Sequence, residues 1–200
     1  FTLAASTDSF TVQSSVRFQA APVSCQLNIV GPSDTTAEIV VTAPSGLPVA
    51  VEYATNSSFT GSTTTATQTA VGANGWRLAF NLSGLTSQTQ YYYRFVENGG
   101  RQDAAFKFWT LPAVGQAMDF KVGVSGCKSS GNNPKAMDYA LARGIQLAVI
   151  QGDSHYGDLA ERYSAPTAAQ FRGAQAMAWS GRAAKNLRDN VGVYYQFDDH

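Results

Sequence analysis

The sequence predicts an α+β protein of two domains, an N-terminal antiparallel β-sandwich followed by part of an α/β sandwich. Short alternating strands separated by turn-forming residues fill the chain up to about residue 111, a pattern typical of a β-sandwich. From residue 119 onwards strands alternate with helices, which is typical of helices that cover a mostly parallel sheet. We expect an N-terminal extension at 1–21, the sandwich at 22–111 and the α/β part at 118–200.

Six short segments of the first domain are predicted to be strands; apolar and polar residues alternate along the first three, and the others follow at the same spacing. They cover residues 24–30, 36–42, 49–54, 76–82, 90–97 and 104–110. Clusters such as Gly31-Pro32-Ser33 and Pro44-Ser45-Gly46 lie between them and favour turns. Their aromatic residues are expected to pack in the core and on the faces of the sandwich, and nothing in residues 1–111 indicates catalysis.

Three strands of the second domain are predicted from their apolar residues, at 119–125, 146–151 and 191–197. The middle one is almost continuously apolar, as in a strand buried on both faces of a parallel sheet.

Two helices are predicted to connect these strands. The first begins near Asn133 and Pro134, which suit the N-cap and the first turn, and ends at Gly144, which suits a left-handed stop. The second covers 167–188, where Gly173 and Gly181 weaken the prediction of an unbroken helix.

Composition limits the kind of partner and the role of the cysteines. Fourteen basic and fourteen acidic side chains balance, so nucleic acid is not expected as a partner. Cys25 and Cys127 allow at most one disulfide, and we expect them to be unpaired and in different domains. No apolar run approaches the roughly 20 residues that span a bilayer, so no transmembrane segment is expected. The N-terminus lacks the charged region of a signal peptide.

Side chains that bind metals follow each of the three predicted α/β strands. They are Cys127 after the first strand, Asp153, His155 and Tyr156 after the second, and Asp198, Asp199 and His200 after the third. Functional sites in open α/β sheets gather beyond the carboxyl ends of the strands. Each residue alone also has a structural explanation, since Gly-Asp often turns a chain and cysteine packs as a small apolar side chain. Their convergence at three strand ends predicts a metal site.

The segment from Leu82 to Arg94 resembles the L-x-x-L-x-x-x-T-x-Y-x-Y-R run of fibronectin type III domains. The resemblance implies that Tyr91 is a corner tyrosine, which ties a loop back to its strand.

The three strand ends resemble the calcineurin-like metallophosphoesterases, and among them the PhoD-like alkaline phosphatases. The matching motifs are Ser125-Gly126-Cys127, then Gly152-Asp153 with Tyr156, then Phe197-Asp198-Asp199-His200. PhoD-like proteins also carry a fibronectin-like or immunoglobulin-like sandwich before the catalytic domain, so the resemblance covers nearly all of residues 22–200. It implies that residues 118–200 are the first half of an α/β metallophosphoesterase sandwich.

The resemblance implies hydrolysis of phosphate esters, as an alkaline phosphatase or phosphodiesterase, by a metal-activated hydroxide. Asp153 would be catalytic and would bridge two metal ions, while Cys127 and Tyr156 would bind ferric iron. Asp199 would bind a second divalent metal, for which calcium is expected. His200 would be catalytic as the group that orients the substrate or protonates the leaving oxygen.

In the family, further ligands lie downstream of the motif at which this chain stops, His200. We therefore expect the remaining C-terminal part of the same polypeptide as the structural partner, and a secreted or periplasmic location. Two alternatives stay open. One is a phospholipase D-type phosphodiesterase on the same scaffold, and the other is a non-catalytic adhesion or binding module.

Overall fold

A computed structural model of the protein describes residues 26–72, 77–126, 135–153, 167, 170 and 178–196. Within these ranges an N-terminal β-sandwich is followed by a parallel sheet with helices, which confirms the predicted fold class. The domain bounds at 22–111 and 118–200 stay predictions.

The sandwich consists of two antiparallel sheets. Its strands are β1 (Gln26–Pro32), β2 (Ala37–Thr42), β3 (Pro48–Ala54), β4 (Thr63–Thr64), β5 (Gln68–Thr69), β6 (Arg77–Leu82), β7 (Gln90–Glu97), β8 (Gly100–Arg101) and β9 (Phe106–Trp109). One sheet has the order β1-β2-β6, and the other is built around β3 and β7, with β9 also pairing with β7. The six predicted strands are present, and β4, β5 and β8 were not predicted because two-residue strands are too short to show alternation.

Alternating burial explains why these segments form a sandwich. In β7, Tyr91, Tyr93 and Phe95 are buried, and the residues between them are half-buried on the other face. Tyr93 packs edge-on against Phe95 at 5.9 Å, and Tyr91 stacks on Phe108 of β9 at 5.7 Å between ring centroids. Such aromatic pairs stabilise a core beyond the burial of their apolar surface.

Tyr91 is the corner tyrosine that the fibronectin resemblance implies. Its hydroxyl accepts a hydrogen bond of 2.9 Å from the backbone N–H of Thr86, five residues upstream. The hydroxyl of Thr110 donates to the carbonyl of Thr86 at 2.7 Å and so closes the same corner from the end of the domain.

One carboxylate, Glu52, is buried in the sandwich with only 2% of its surface exposed. It accepts hydrogen bonds from Arg94 at 2.7 Å, Arg101 at 2.9 Å and Ser62 at 2.7 Å. The hydrogen bond from Arg94 is the largest influence and, with those from Ser62 and Arg101, outweighs burial, so the pKa of Glu52 falls from 4.5 to about 2. A buried charge with three donors is a structural element of the sandwich.

The second part of the chain is an α/β unit. Its described elements are β10 (Val122–Gly126), α1 (Lys135–Ala142), β11 (Leu147–Gln151), α2 (Arg182–Asn190) and β12 (Gly192–Gln196). The three strands are parallel in the order β10-β11-β12. Met137, Ile150, Leu187 and Val193 are among the buried residues that join helices and sheet in one core.

The second predicted helix is interrupted. Residues 178–180 are helical, Gly181 has an extended ψ of 145°, and α2 begins at Arg182 and continues to Asn190. Glycine stabilises a helix interior poorly, and here it separates the two helical segments.

The sandwich packs directly against the α/β unit. Ile29 of β1 packs against the α/β core, and the Tyr194 hydroxyl of β12 donates a hydrogen bond to the carbonyl oxygen of Pro32. Burial raises the pKa of Tyr194, which keeps this hydroxyl protonated as a donor. Gly192 lies so close to Pro32 that a Cβ atom would come within 2.7 Å of the proline ring. These contacts fix β12 against the sandwich.

In the described part of the chain no helix is both long and apolar enough to cross a membrane.

Candidate functional site

The carboxyl ends of the three parallel strands are level with one another. Gly126, the last residue of β10, is in register with Gln151, the last residue of β11, and Gln151 is in register with Gln196, the last residue of β12. Since neighbouring strands lie about 4.8 Å apart, the three ends together span about 10 Å. The segments that follow these strands therefore start from one small region at the edge of the sheet.

Gly126 allows the first two strand ends to approach closely. A Cβ atom at this position would lie 2.7 Å from the carbonyl oxygen of Gln151, closer than a carbon atom can come to backbone. The glycine that precedes Cys127 in the sequence is therefore required by the backbone of β11.

A sharp left-handed turn follows β11. Gly152 has a φ of 64° and Asp153 a φ of 44°, so two consecutive residues occupy the left-handed region. The N–H of Gly152 donates a hydrogen bond of 3.0 Å to the carbonyl oxygen of Gln196, which ties the turn to the end of β12. Gly152 is buried and Asp153 half-buried. Aspartate tolerates this conformation better than most residues, but it still costs free energy, and such strain clusters at functional sites.

Asp153 is the predicted site residue that the structure describes. It lies directly beyond the carboxyl end of β11, as the sequence analysis predicted. The other predicted site residues, Cys127, Tyr156, Asp199 and His200, lie outside the described residues, as do Cys25 and His155. Among the residues that the structure describes, no three of the types His, Cys, Asp and Glu come together as metal ligands.

Two backbone features of this region were not predicted from the sequence. Gly126 and Gly152 were predicted only as parts of motifs, whereas the structure shows that Gly126 lets two strand ends approach and that Gly152 forms the left-handed turn. No role was predicted for Gln196, whose carbonyl oxygen accepts the hydrogen bond from the turn. A signal was present in the position of the glycines at the ends of predicted strands.

The protein is thus a β-sandwich packed on an α/β unit, with the turn of Gly152 and Asp153 at the carboxyl edge of the parallel sheet. The chain is similar in fold to the solved structure of PhoD, with a TM-score of 0.73 and 18% sequence identity, over 90% of this chain and 39% of that chain. This chain therefore spans well under half the length of the PhoD structure.

Two other solved structures match about half of the chain. One is a fibronectin type III domain derived from the human KIAA0970 protein, with a TM-score of 0.35 and 13% identity over 48% of this chain and 80% of that chain. The other is the sensor domain of the anti-sigma factor RsgI4 of Pseudobacteroides cellulosolvens, with a TM-score of 0.36 and 18% identity over 46% of this chain and 99% of that chain. No protein-family model and no curated protein matches the sequence.

Proposed function

We propose that this protein hydrolyses phosphate esters with bound metal ions, as an alkaline phosphatase or phosphodiesterase of the PhoD-like kind. The observation that supports this most is the left-handed turn of Gly152 and Asp153, which sets a half-buried carboxylate beyond the level ends of three parallel strands. The fold shared with the PhoD structure agrees with the proposal.

Asp153 fits the role of a metal ligand by its position. A carboxylate can accept on both oxygens, and the bond from Gly152 to Gln196 fixes the backbone that carries it. Cys127 directly follows Gly126, the last residue of β10, in the sequence. Tyr156 and Asp199 follow the other two strands at short distances along the chain.

The donor types favour two different cations. Thiolate and phenolate from Cys127 and Tyr156 suit ferric iron, and the carboxylates of Asp153 and Asp199 suit a second divalent ion such as calcium. When bound, such a pair of cations supplies activation of a water molecule and neutralises charge on the phosphate.

The protein's own groups have separate tasks in this proposal. Asp153 would bind both metal ions, and His200 would orient the ester or give a proton to its leaving oxygen. Ligands beyond His200, as the resemblance implies, belong to the same proposal, as does a secreted or periplasmic location, which cell fractionation tests.

Replacing Asp153 by Asn tests the function while it preserves the turn. Asparagine tolerates the left-handed conformation as well as aspartate does, so the backbone is retained and only the charge is lost. We expect the intact D153N protein to lose bound metal, measured by elemental mass spectrometry. Its rate of p-nitrophenyl phosphate hydrolysis should fall at least 100-fold, which corresponds to about 2.7 kcal/mol of activation free energy.

The matched control is Asp103→Asn, which removes one exposed carboxylate from the sandwich. It is expected to keep metal content and activity at the level of the unchanged protein. If D153N and D103N have the same metal content and the same rate of hydrolysis, Asp153 is not part of a metal site and the proposal fails.

Substrate choice separates the proposed activity from its alternatives. Hydrolysis of p-nitrophenyl phosphate marks a monoesterase, bis-p-nitrophenyl phosphate a diesterase, and phosphatidylcholine a phospholipase D-type enzyme. An intact, metal-loaded protein that cleaves none of the three would favour the non-catalytic binding module.

A further inference from the structure

A pocket of about 440 Å³ lies between the sandwich and the α/β unit. The sandwich lines it with Gln90, Lys107 and Trp109, and the α/β unit with Leu141, Ile145, Gln146 and Asn190. Gln146 and Asn190 come just before β11 and β12, so the pocket is at the amino edge of the parallel sheet. Pockets of a few hundred Å³ at domain interfaces are preferred sites for small ligands.

The outer face of the second sandwich sheet forms one wall of this pocket. Gln90 of β7 is directly opposite Trp109 of β9 in the antiparallel register, and Lys107 is opposite Tyr92. The core side of β9 is occupied by buried Phe106 and Phe108, so Lys107 and Trp109 are on the other face, where they are half-buried. The indole of Trp109 is therefore available to the pocket as a flat apolar surface.

The amides around the pocket have unused hydrogen-bonding groups. The Gln90 oxygen accepts from the Tyr92 hydroxyl at 3.1 Å and the Gln146 oxygen accepts from the Lys121 N–H at 3.2 Å, which leaves both NH₂ groups without an acceptor among the described residues. Asn190 is the reverse case, because its NH₂ donates to Asn186 and its oxygen has no donor in the part of the chain that the structure describes. Two amide donors and one amide acceptor are thus available to a ligand.

One charged side chain lines the pocket among the residues that the structure describes. Lys107 lines it, and no carboxylate lines it among the described residues. Within those residues the ammonium group of Lys107 forms neither an ion pair nor a hydrogen bond, whereas Lys185 on the neighbouring helix is paired with Asp189. A half-buried lysine with no counter-charge among the described residues favours a ligand that carries one.

We propose that this pocket binds a sugar ring that carries one anionic substituent. A sugar ring has an apolar face of C–H groups, which matches Trp109, Leu141 and Ile145, and hydroxyl groups on its edge that both donate and accept. The amides of Gln90, Gln146 and Asn190 provide the complementary groups, and Lys107 recognises the anion. A carboxylate or a phosphate satisfies the same cation.

This site is separate from the proposed metal site. The five residues of β11, at about 3.3 Å each, put roughly 16 Å between the amino edge and the carboxyl edge of the sheet. A ligand in the pocket therefore contacts both domains without touching Asp153, and its binding does not depend on the proposed hydrolysis.

Calorimetric titration of the intact protein and of its D153N variant, in which the proposed hydrolysis is lost, tests the proposal with four probes, namely glucuronic acid, glucose 6-phosphate, glucose and inorganic phosphate. We expect one of the two anionic sugars to bind with a dissociation constant of about 1 mM or lower, and at least tenfold more tightly than glucose or phosphate. Equal binding of inorganic phosphate and glucose 6-phosphate would mean a simple anion site, and no binding of either anionic sugar would overturn the proposal.

Variants locate the bound sugar. Lys107→Met is expected to weaken binding of the anionic sugar at least tenfold, to the affinity for glucose. Trp109→Ala is expected to weaken binding of every sugar. Lys135→Met, an exposed lysine at the start of α1, is the matched control and should leave binding unchanged. Thermal melting checks that each variant is folded. Binding that survives both K107M and W109A, or that is lost in D153N, would contradict the location.

Discussion

Substituting Gly192 by Ala tests how tightly the sandwich and the α/β unit are packed. The new Cβ atom would lie 2.7 Å from both Cγ and Cδ of Pro32 and 3.3 Å from Cδ1 of Leu147. Carbon atoms pack best at roughly 3.5–4.0 Å, so the methyl group would be about 1 Å too close to a ring. A proline ring cannot rotate away as a leucine side chain can, so β1 and β12 must separate.

We expect the overlap to destabilise the protein by about 1–3 kcal/mol, the usual range for an added methyl group in a close-packed interior. For a chain of this size that lowers the melting temperature by roughly 2–4 °C for each kcal/mol. Urea unfolding of the intact protein, followed by circular dichroism, measures the free energy of unfolding directly.

Two further variants make the result specific to the contact. In Gly31→Ala, on the opposite side of the same interface, the Cβ atom would lie 3.7 Å from Cε1 of Tyr194, an ordinary contact, so the stability should stay within about 0.5 kcal/mol. Pro32→Ala removes Cγ and Cδ and should make Gly192→Ala less costly, which a double-mutant cycle measures as coupling. If G192A unfolds at the same urea concentration as G31A, or if P32A gives no relief, the described packing is wrong.

Three other perturbations have expected outcomes. Because the folded pKa of Glu52, about 2, is below its unfolded value of 4.5, its charge stabilises the protein above pH 4.5, and this contribution is lost as the pH falls towards 2. Urea unfolding of Glu52→Gln should therefore show a loss of roughly 1–3 kcal/mol at pH 7 that shrinks below pH 4, and a loss that does not change with pH would contradict the ion pair. Tyr91→Phe removes the hydrogen bond with Thr86 and should lower the free energy of unfolding by about 1 kcal/mol. Tyr92→Phe removes a hydrogen bond with Gln90 on the outer face and should lower it less. Equal losses in thermal unfolding would mean that the Tyr91 corner does not stabilise the sandwich. Gly152→Ala puts a side chain on a residue with a φ of 64° and should lower the free energy of unfolding by about 1–2 kcal/mol. Unchanged stability would mean that residue 152 is not in the left-handed region.

Most of the fold could be predicted from the sequence because its strands follow regular patterns. The alternation of β2, with Ala37, Ile39 and Val41 buried, is visible in the letters alone, as is the apolar run of β11. The fibronectin-like run also located the Tyr91 corner, which depends on local spacing. The interruption of the second helix was indicated by Gly181, because glycine stabilises a helix interior poorly.

What could not be predicted depends on contacts between segments distant in sequence. Two-residue strands such as β4 form only because β3 offers them a partner, so no local pattern announces them. The contact of Gly192 with Pro32 joins residues 160 positions apart, and nothing near either residue indicates it. The pocket beside Lys107 and Trp109 arises in the same way, because residues from both domains line it.

The candidate site shows the same division. Motif and strand order predicted that Asp153 lies beyond the end of β11, which is where the structure has it. The left-handed turn and its hydrogen bond from Gly152 to Gln196 required the third strand to be in place, so they emerge only from the fold.

Binding of metal through Asp153 at the carboxyl edge of the parallel sheet can be seen by anomalous X-ray scattering from crystals of the intact protein. Data collected on both sides of the iron absorption edge should show a peak about 2.0–2.6 Å from a carboxylate oxygen of Asp153, close to the ends of β10 and β12. In crystals of D153N that peak should be absent or much reduced. Anomalous maps without a peak at this edge, from protein purified and crystallised with iron and calcium present, would show that Asp153 binds no metal.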